Sequence, residues 1–252
     1  MSRYQAGLYH LLISFCAFLL LSYMVLFHWF PDFFFAIDGG WEGMRILIGV
    51  DLILGPLLTT IVFRSGKPGL KFDLSVIGTV QAACLLAGVY VIYSERPIFF
   101  TYYERHFYSI SADTFGDYGV QTPDWRDFAE KTPARVYVRL PDNPIEEADV
   151  RGILYRDGVP LWAYPRMYAP LSEYMDVVIT EGAQESLIRA RDPASNLDNW
   201  LREQGGGFDD YAFVPIHSRY RDAFLGIRKS TREFVDILEV PPPLNLNSIP
   251  RT

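Results

Sequence analysis

Three long apolar stretches occupy the N-terminal part of the chain, and short alternating segments occupy the rest. Residues 8–30 run without a formal charge, and at about 1.5 Å per residue such a run crosses the roughly 30 Å of a bilayer's hydrocarbon. The run closes with His28-Trp29-Phe30-Pro31, aromatic side chains suited to a membrane interface followed by a helix breaker. A cleavable signal peptide has a shorter apolar core and a small-residue cleavage site, so the run reads as a retained anchor. Two further spans are predicted over residues 46–63 and 74–93. Gly39-Gly40 lies in the first connection and Ser65-Gly66-Lys67-Pro68-Gly69 makes the second, with Gly and Pro supplying turn dihedrals that a continuing helix refuses.

The pattern changes after residue 97. Residues 97–110 are dense in aromatic and β-branched side chains and are predicted to form a strand. Residues 135–140 alternate polar and apolar, the mark of a half-buried strand. Asn143-Pro144-Ile145-Glu146 has the composition of a helix start: an Asn cap, Pro at the first position and an acid in the first turn. That helix is expected to reach about Arg156 and stop at Asp157-Gly158. A second is expected between about Leu171 and Glu203, broken or kinked at Asp192-Pro193 and ended by Gly205-Gly206-Gly207. Residues 211–217, 223–228 and 233–238 alternate as strands, with Lys229-Ser230-Thr231 as a hairpin turn. The expected architecture is a membrane α-helical module of three transmembrane helices (residues 1–97), then a small α+β soluble domain with a mainly antiparallel sheet (98–240), then a Pro-rich disordered tail (241–252). The third span leads almost directly into the first strand, which implies a domain held near the membrane surface.

Charge sets the orientation and removes one class of partner. The net charge is −7, and all of it arises beyond residue 97, because the acids and bases before that point balance. An acidic domain is poorly matched to a phosphate backbone, so nucleic acid is excluded as a partner. The second connection carries Arg64, Lys67 and Lys71 and the N-terminal tail carries Arg3, whereas residues 31–43 carry Asp32, Asp38 and Glu42 with no Lys or Arg. Basic segments stay in the cytoplasm. Three crossings then place the C-terminal domain on the far side, the periplasm of a Gram-negative cell.

Candidate chemistry is sparse. Cys16 and Cys84 lie in apolar runs and have no CxxC partner, and the four histidines are scattered, so no metal or redox motif is present in the sequence. No GxSxG, P-loop, HExxH or dinucleotide-binding glycine fingerprint occurs. Glu146-Glu147 and Asp209-Asp210 sit where helix caps and turns want carboxylates. The expectation is a protein that is not an enzyme and takes no cofactor. Asp51 lies in the second span, about 9 Å below the interface counted from Arg45, followed by Gly55 and Pro56; Gln81 lies in the third. An ionisable group at such depth faces protein or water. These four residues are either a docking notch for a partner's helix or packing contacts within the three-helix bundle. In the soluble half, Trp162, Tyr164, Arg166 and Tyr168 form an aromatic run around an arginine, suited either to contacting a partner or to filling a small core.

The stretch Gly49-Val50-Asp51-Leu52-Ile53-Leu54-Gly55-Pro56-Leu57-Leu58-Thr59, with Gly66-Lys67-Pro68 and Lys71-Phe72-Asp73-Leu74 after it, resembles the type IV pilin accessory proteins. The likeness continues through Glu95-Arg96-Pro97 and returns at Pro165-Arg166-Met167-Tyr168. These are small inner-membrane proteins of pilus-bearing Gram-negative bacteria, described as pilin-specific assembly chaperones or fimbrial assembly proteins. The resemblance implies a multi-pass inner-membrane location and, as partner, the type IV major pilin, itself a membrane helix carrying a periplasmic head. It brings no catalytic residues. On this basis the bundle would dock the pilin helix at Asp51, Gly55, Pro56 and Gln81, and the soluble domain would touch the head through Trp162, Tyr164, Arg166 and Tyr168. The competing classes are an envelope sensor or adaptor with a periplasmic ligand-binding domain, for which the cytoplasm holds no output module, and a membrane-bound enzyme, for which clustered acid, base and nucleophile are lacking. Oligomeric state is left open.

Overall fold

The computed structural model describes residues 2–242 and divides into two compact units, Met1–Arg96 and Pro97–Thr252. The expected tail lies outside the described residues from position 243 onward.

The first unit contains three helices long and apolar enough to cross a membrane: α1 (Arg3–Trp29), α2 (Gly40–Val62) and α3 (Leu70–Ser94). Each begins several residues before the apolar run that announced it. Helix α1 starts early because Ser2 and Gln5 cap it reciprocally: the Ser2 side chain accepts from the Gln5 amide at 3.2 Å, and the Gln5 side chain accepts from the Ser2 amide at 2.8 Å. Its last five residues, Val25–Trp29, widen into a π-helical turn. Helix α2 is α-helical over Gly40–Leu47, π-helical over Ile48–Leu54, and α-helical again over Gly55–Val62.

The interior of the bundle holds more small and polar residues than a water-soluble core. Its buried positions in α1 include Ala6, Gly7 and Ser14, and in α2 Asp51, Gly55, Pro56 and Thr59. Large apolar side chains such as Ile13, Leu20, Ile61 and Leu86 face outward. In hydrocarbon there is little gain from hiding leucine, so small residues that let backbones approach and polar groups that bond across helices share the interior with Val25, Met44, Leu47 and Ile92.

The second unit is a seven-stranded sheet with helices. In chain order it contains β1 (Pro97–Tyr103), β2 (His106–Ser111), α4 (Ala112–Asp117), β3 (Ala134–Val138), α5 (Pro144–Arg151), α6 (Ile153–Asp157), β4 (Tyr168–Pro170), α7 (Met175–Thr180), α8 (Glu185–Arg189), α9 (Asn196–Gln204), β5 (Tyr211–His217), β6 (Ala223–Arg228) and β7 (Glu233–Leu238). The strand order is β4-β3-β1-β2-β5-β6-β7. The pairings β1–β3 and β2–β5 are parallel and the other four antiparallel. The sheet is therefore mixed, which corrects the expectation of a mainly antiparallel one: β3 and β5 each return beside an earlier strand after a long crossover.

Three local expectations also change. Residues 97–110 are two strands, not one, because Glu104 and Arg105 both take positive φ (45° and 67°) and turn the chain in two residues. The expected helix from Asn143 is present, with the Asn143 side chain accepting from the Ile145 amide at 2.9 Å, but it is divided at Gly152 into α5 and α6. The expected helix over 171–203 is three short helices, α7 to α9. Asp192 caps the last, accepting from the Asn196 and Leu197 amides at 2.9 and 2.7 Å. The three C-terminal strands fall where the alternation put them, and residues 229–232 turn β6 into β7.

The sheet carries apolar clusters on the side chains of both halves. Phe99, Ile110, Phe115 and Val136 gather beside β1 to β3. Ile188, Leu197 and Trp200 pack on Tyr211, Phe213 and Phe224 of β5 and β6.

Candidate functional site

The membrane unit builds a polar cluster around Pro56. Proline has no N–H, and its ring crowds the carbonyl one turn back. The helix relieves that crowding by widening: the Gly55 N–H reaches back five residues to the Val50 carbonyl. Asp51 O consequently loses both backbone donors that could serve it, Gly55 because it bonds to Val50, Pro56 because it has none. Gln81 of α3 supplies the missing donor: its Nε2 donates to Asp51 O at 3.4 Å and to Asp51 Oδ1 at 3.3 Å, and also reaches Ser14 Oγ of α1 at 3.4 Å. One amide thus ties all three helices together.

Glycines set the spacing. A Cβ on Gly55 would collide with the Gln81 amide, its Cδ lying 2.6 Å away, and a Cβ on Gly7 would collide with Thr60 Oγ1 and lie 3.3 Å from Pro56 O. Thr60 Oγ1 donates back to Pro56 O at 2.8 Å, and His10 Nδ1 lies 2.6 Å from Thr59 Oγ1. The four membrane residues singled out in the sequence are brought together, then, but with one another: the Gly55–Pro56 notch is filled from within the bundle by Gln81 and α1. Sequence reasoning missed Gly7, His10 and Ser14. Their spacing of three and four residues marks a single face of α1 and was available as a signal.

The aromatic run of the soluble domain separates into core and surface. Trp162 stacks on Tyr108 at 5.0 Å between centroids and meets Tyr118 edge-on at 5.6 Å. Tyr168 packs against Phe99 and donates its hydroxyl to Trp162 O at 2.6 Å. Tyr164 lies partly buried against the Val138, Ile153 and Leu161 cluster. Arg166 alone is exposed, with no ion pair or hydrogen bond among the described residues. The paired acids serve as structure: Glu147 Oε1 accepts from Arg151 Nε at 2.8 Å, and Asp210 Oδ2 accepts from the Gly207 amide at 2.8 Å. Among the described residues no group of three or more His, Cys, Asp or Glu is placed to hold a metal ion.

Curated relatives share part of this chain. It is 35% identical over 92 residues to the fimbrial assembly protein of serogroup E1 from Dichelobacter nodosus, a match that covers 35% of each chain. It is 34% identical over 92 residues to the serogroup I protein of the same organism, again over 35% of each. A third, the fimbrial assembly protein of serogroups C1 and C2 of that organism, is 34% identical over 92 residues, which is 70% of its length and 35% of this one. The chain belongs to the fimbrial assembly protein family. As a fimbrial assembly protein it spans about a third of the length of the first two relatives. No family model matches it. No solved structure matches it.

Proposed function

We propose that this fimbrial assembly protein sits in the bacterial inner membrane, binds a type IV pilin and helps it assemble into surface pili without catalysing a reaction. The observation that carries this reading is the kinship with fimbrial assembly proteins, joined to three helices suited to a membrane. The pilin's own anchor is an apolar helix, and α3 offers it a place. Helix α3 packs inward through Leu74, Ile77, Gln81, Leu85 and Ile92, while Ser75, Gly78, Ala82 and Ala83 face outward, with no atom near a Cβ on Gly78. Small outward side chains allow close helix approach in lipid. The filled notch at Gly55 and Pro56 moves the proposed docking face to this side of α3. In the soluble domain, the exposed Arg166 offers a charge contact for the pilin head. Two contacts on one partner reinforce each other through effective concentration.

The test is genetic and biochemical. A strain lacking this protein should make normal amounts of pilin and few surface pili. Photo-crosslinkers at positions 78, 82 and 166 should capture the pilin. Unchanged piliation in the deletion strain removes the proposal.

A further inference from the structure

The two halves of the seven-stranded sheet meet at its shortest register. β1 pairs with β2 over six positions and β5 with β6 over six, but β2 and β5 are in register only at Phe107↔Ile216 and Tyr108↔His217. At one end of this seam the rings of His106 and His217 stack, with centroids 4.8 Å apart and planes 13° apart.

His106 is 5% exposed. Its Nδ1 lies 2.8 Å from the Glu104 carbonyl, which only accepts, so Nδ1 carries the proton and Nε2 is a bare acceptor. That Nε2 is buried and has no hydrogen-bond partner among the described residues. A proton added there would be a buried donor with nothing to receive it, and the ring's charge would lie against a second imidazole.

The surrounding charges sharpen the point. On its own hairpin, His106 is faced by Glu104, whose carboxylate is bound by Arg151 at 2.5 Å and by the Tyr103 hydroxyl at 3.0 Å, and by Arg105, whose Nε donates to Glu181 O at 3.2 Å. Tyr103 of β1 stands opposite it in the register, and Tyr108 of β2 lies 6.2 Å away, ring to ring. From β5 it faces His217, and Asp222, ahead of β6, lies 3.4 Å from His217 Nδ1. Glu104, already bound by Arg151, and Asp222, beside His217, draw a proton toward His106, but burial, His217 and Arg105 oppose it and no carboxylate reaches its Nε2.

We infer that the His106–His217 stack is an acid-sensitive latch on the β2–β5 seam: when His106 gains a second proton the seam opens, and when His106 is neutral it closes. Burial already holds His106 below the ordinary histidine value of 6.5. A histidine with a depressed folded value adds stability above 6.5 and loses it as pH falls below that point. A domain exposed to an acidifying surface would loosen there first.

Hydrogen exchange followed by mass spectrometry on the full-length protein in detergent tests this, after correction for the intrinsic pH dependence of exchange. Between about pH 7.5 and about pH 5.5 the seam peptides over 106–111 and 211–217 should lose protection by up to about tenfold, the most that one proton bound only in the open seam yields over one pH unit below 6.5, while β3 stays constant. His106→Phe should keep the seam equally protected at both pH values. His217→Phe keeps the ring stack, removes a neighbour that helps to depress His106, and should lessen the acid-induced loss of protection; it serves on its own should His106→Phe fail to fold. Equal loss of protection across all strands in the wild type, or an unchanged pH response in His217→Phe, overturns the latch.

Discussion

The Gln81 side chain donates to the backbone carbonyl of Asp51, the group that Pro56 has deprived of a helical partner. A proline in a span is tolerated when a neighbour satisfies the carbonyl it frees, and here the neighbour is an amide one helix away. The same amide holds the Asp51 carboxylate and reaches Ser14. Gln81→Leu removes these bonds and should destabilise the bundle by about 1–2 kcal/mol, the upper range for polar contacts between membrane helices. Gly55→Ala should act the same way, because its new methyl group displaces the Gln81 amide. The two changes together should then be less than additive, since the second removes what the first has already lost. Unfolding of the purified protein in mixed micelles measures all three. Full additivity would mean that Gly55 and Gln81 do not act through one contact.

How much of this was legible in the sequence depends on the range of the interaction. The three membrane helices declare themselves through length and apolarity alone, and the strands over 211–217, 223–228 and 233–238 through alternation. The β1–β2 turn was hidden because Glu104-Arg105 replaces the glycine and asparagine that usually carry positive φ in a two-residue hairpin. Tertiary ties hold it instead, Arg151 on Glu104 and the Glu181 carbonyl on Arg105. The parallel pairings β1–β3 and β2–β5 join segments far apart in the chain, and no local pattern encodes them. At the candidate site, Asp51, Gly55, Pro56 and Gln81 were recognisable as unusual in a span. A hydrogen bond from Gln81 across the bundle was legible too, but its partners Asp51 and Ser14 were not, because helix rotation is set by packing. The aromatic run at 162–168 shows the same limit: composition cannot separate Trp162, stacked on Tyr108, from Arg166, which stands in solvent.

That division has a measurable consequence. Trp162→Ala removes a ring held between Tyr108 and Tyr118 and should destabilise the soluble domain by about 2–4 kcal/mol, somewhat less than full burial would imply. Arg166→Ala removes no ion pair or side-chain hydrogen bond among the described residues and should stay within about 0.5 kcal/mol of the parent. If the pilin head is met at this turn, Arg166→Ala lowers the yield of co-purified pilin while the protein's own melting is unchanged. Wild-type recovery of pilin with Arg166→Ala would place the head contact elsewhere.

Tyr108 contributes to the loss of stability at high pH. Burial, with the nearby Glu104 carboxylate adding to it, pushes its hydroxyl up from 10.0 to about 12. Tyr102 and Tyr103 are raised as well, in each case chiefly by burial. A raised folded value means that the unfolded chain ionises first. The tyrosine's contribution is therefore complete below pH 10 and is lost as pH rises through about 12. Tyr108→Phe keeps the ring stacked on Trp162 and removes the ionisation, so it should change stability by less than about 0.5 kcal/mol at neutral pH and flatten the decline above pH 10. Chemical denaturation at a series of alkaline pH values, read by the aromatic circular dichroism, separates these outcomes. A decline as steep in Tyr108→Phe as in the parent would assign it to the other raised tyrosines, Tyr102, Tyr103, Tyr137 and Tyr168.

Orientation follows from the connection between α2 and α3. Arg64, Lys67 and Lys71 cluster there, and Lys67 is paired with Asp73 at 2.6 Å. The pairing does not cancel the signal, because orientation responds to lysine and arginine in short loops and little to acids. The opposite connection, between α1 and α2, carries Asp32, Asp38 and Glu42, with Arg45 inside α2 and its guanidinium 5.1 Å over the Trp41 ring. The basic loop should therefore stay in the cytoplasm, and α3 should deliver the sheet domain to the periplasm. Alkaline phosphatase fused after position 240 should be active and the same enzyme inserted at position 67 inactive, because it folds only after export. Changing Arg64, Lys67 and Lys71 together to Gln should weaken this preference and divide activity between the two sites. The reverse pattern in the parent protein would put the sheet domain in the cytoplasm, where no exported pilin head could reach Arg166, and the proposed partnership would fail with it.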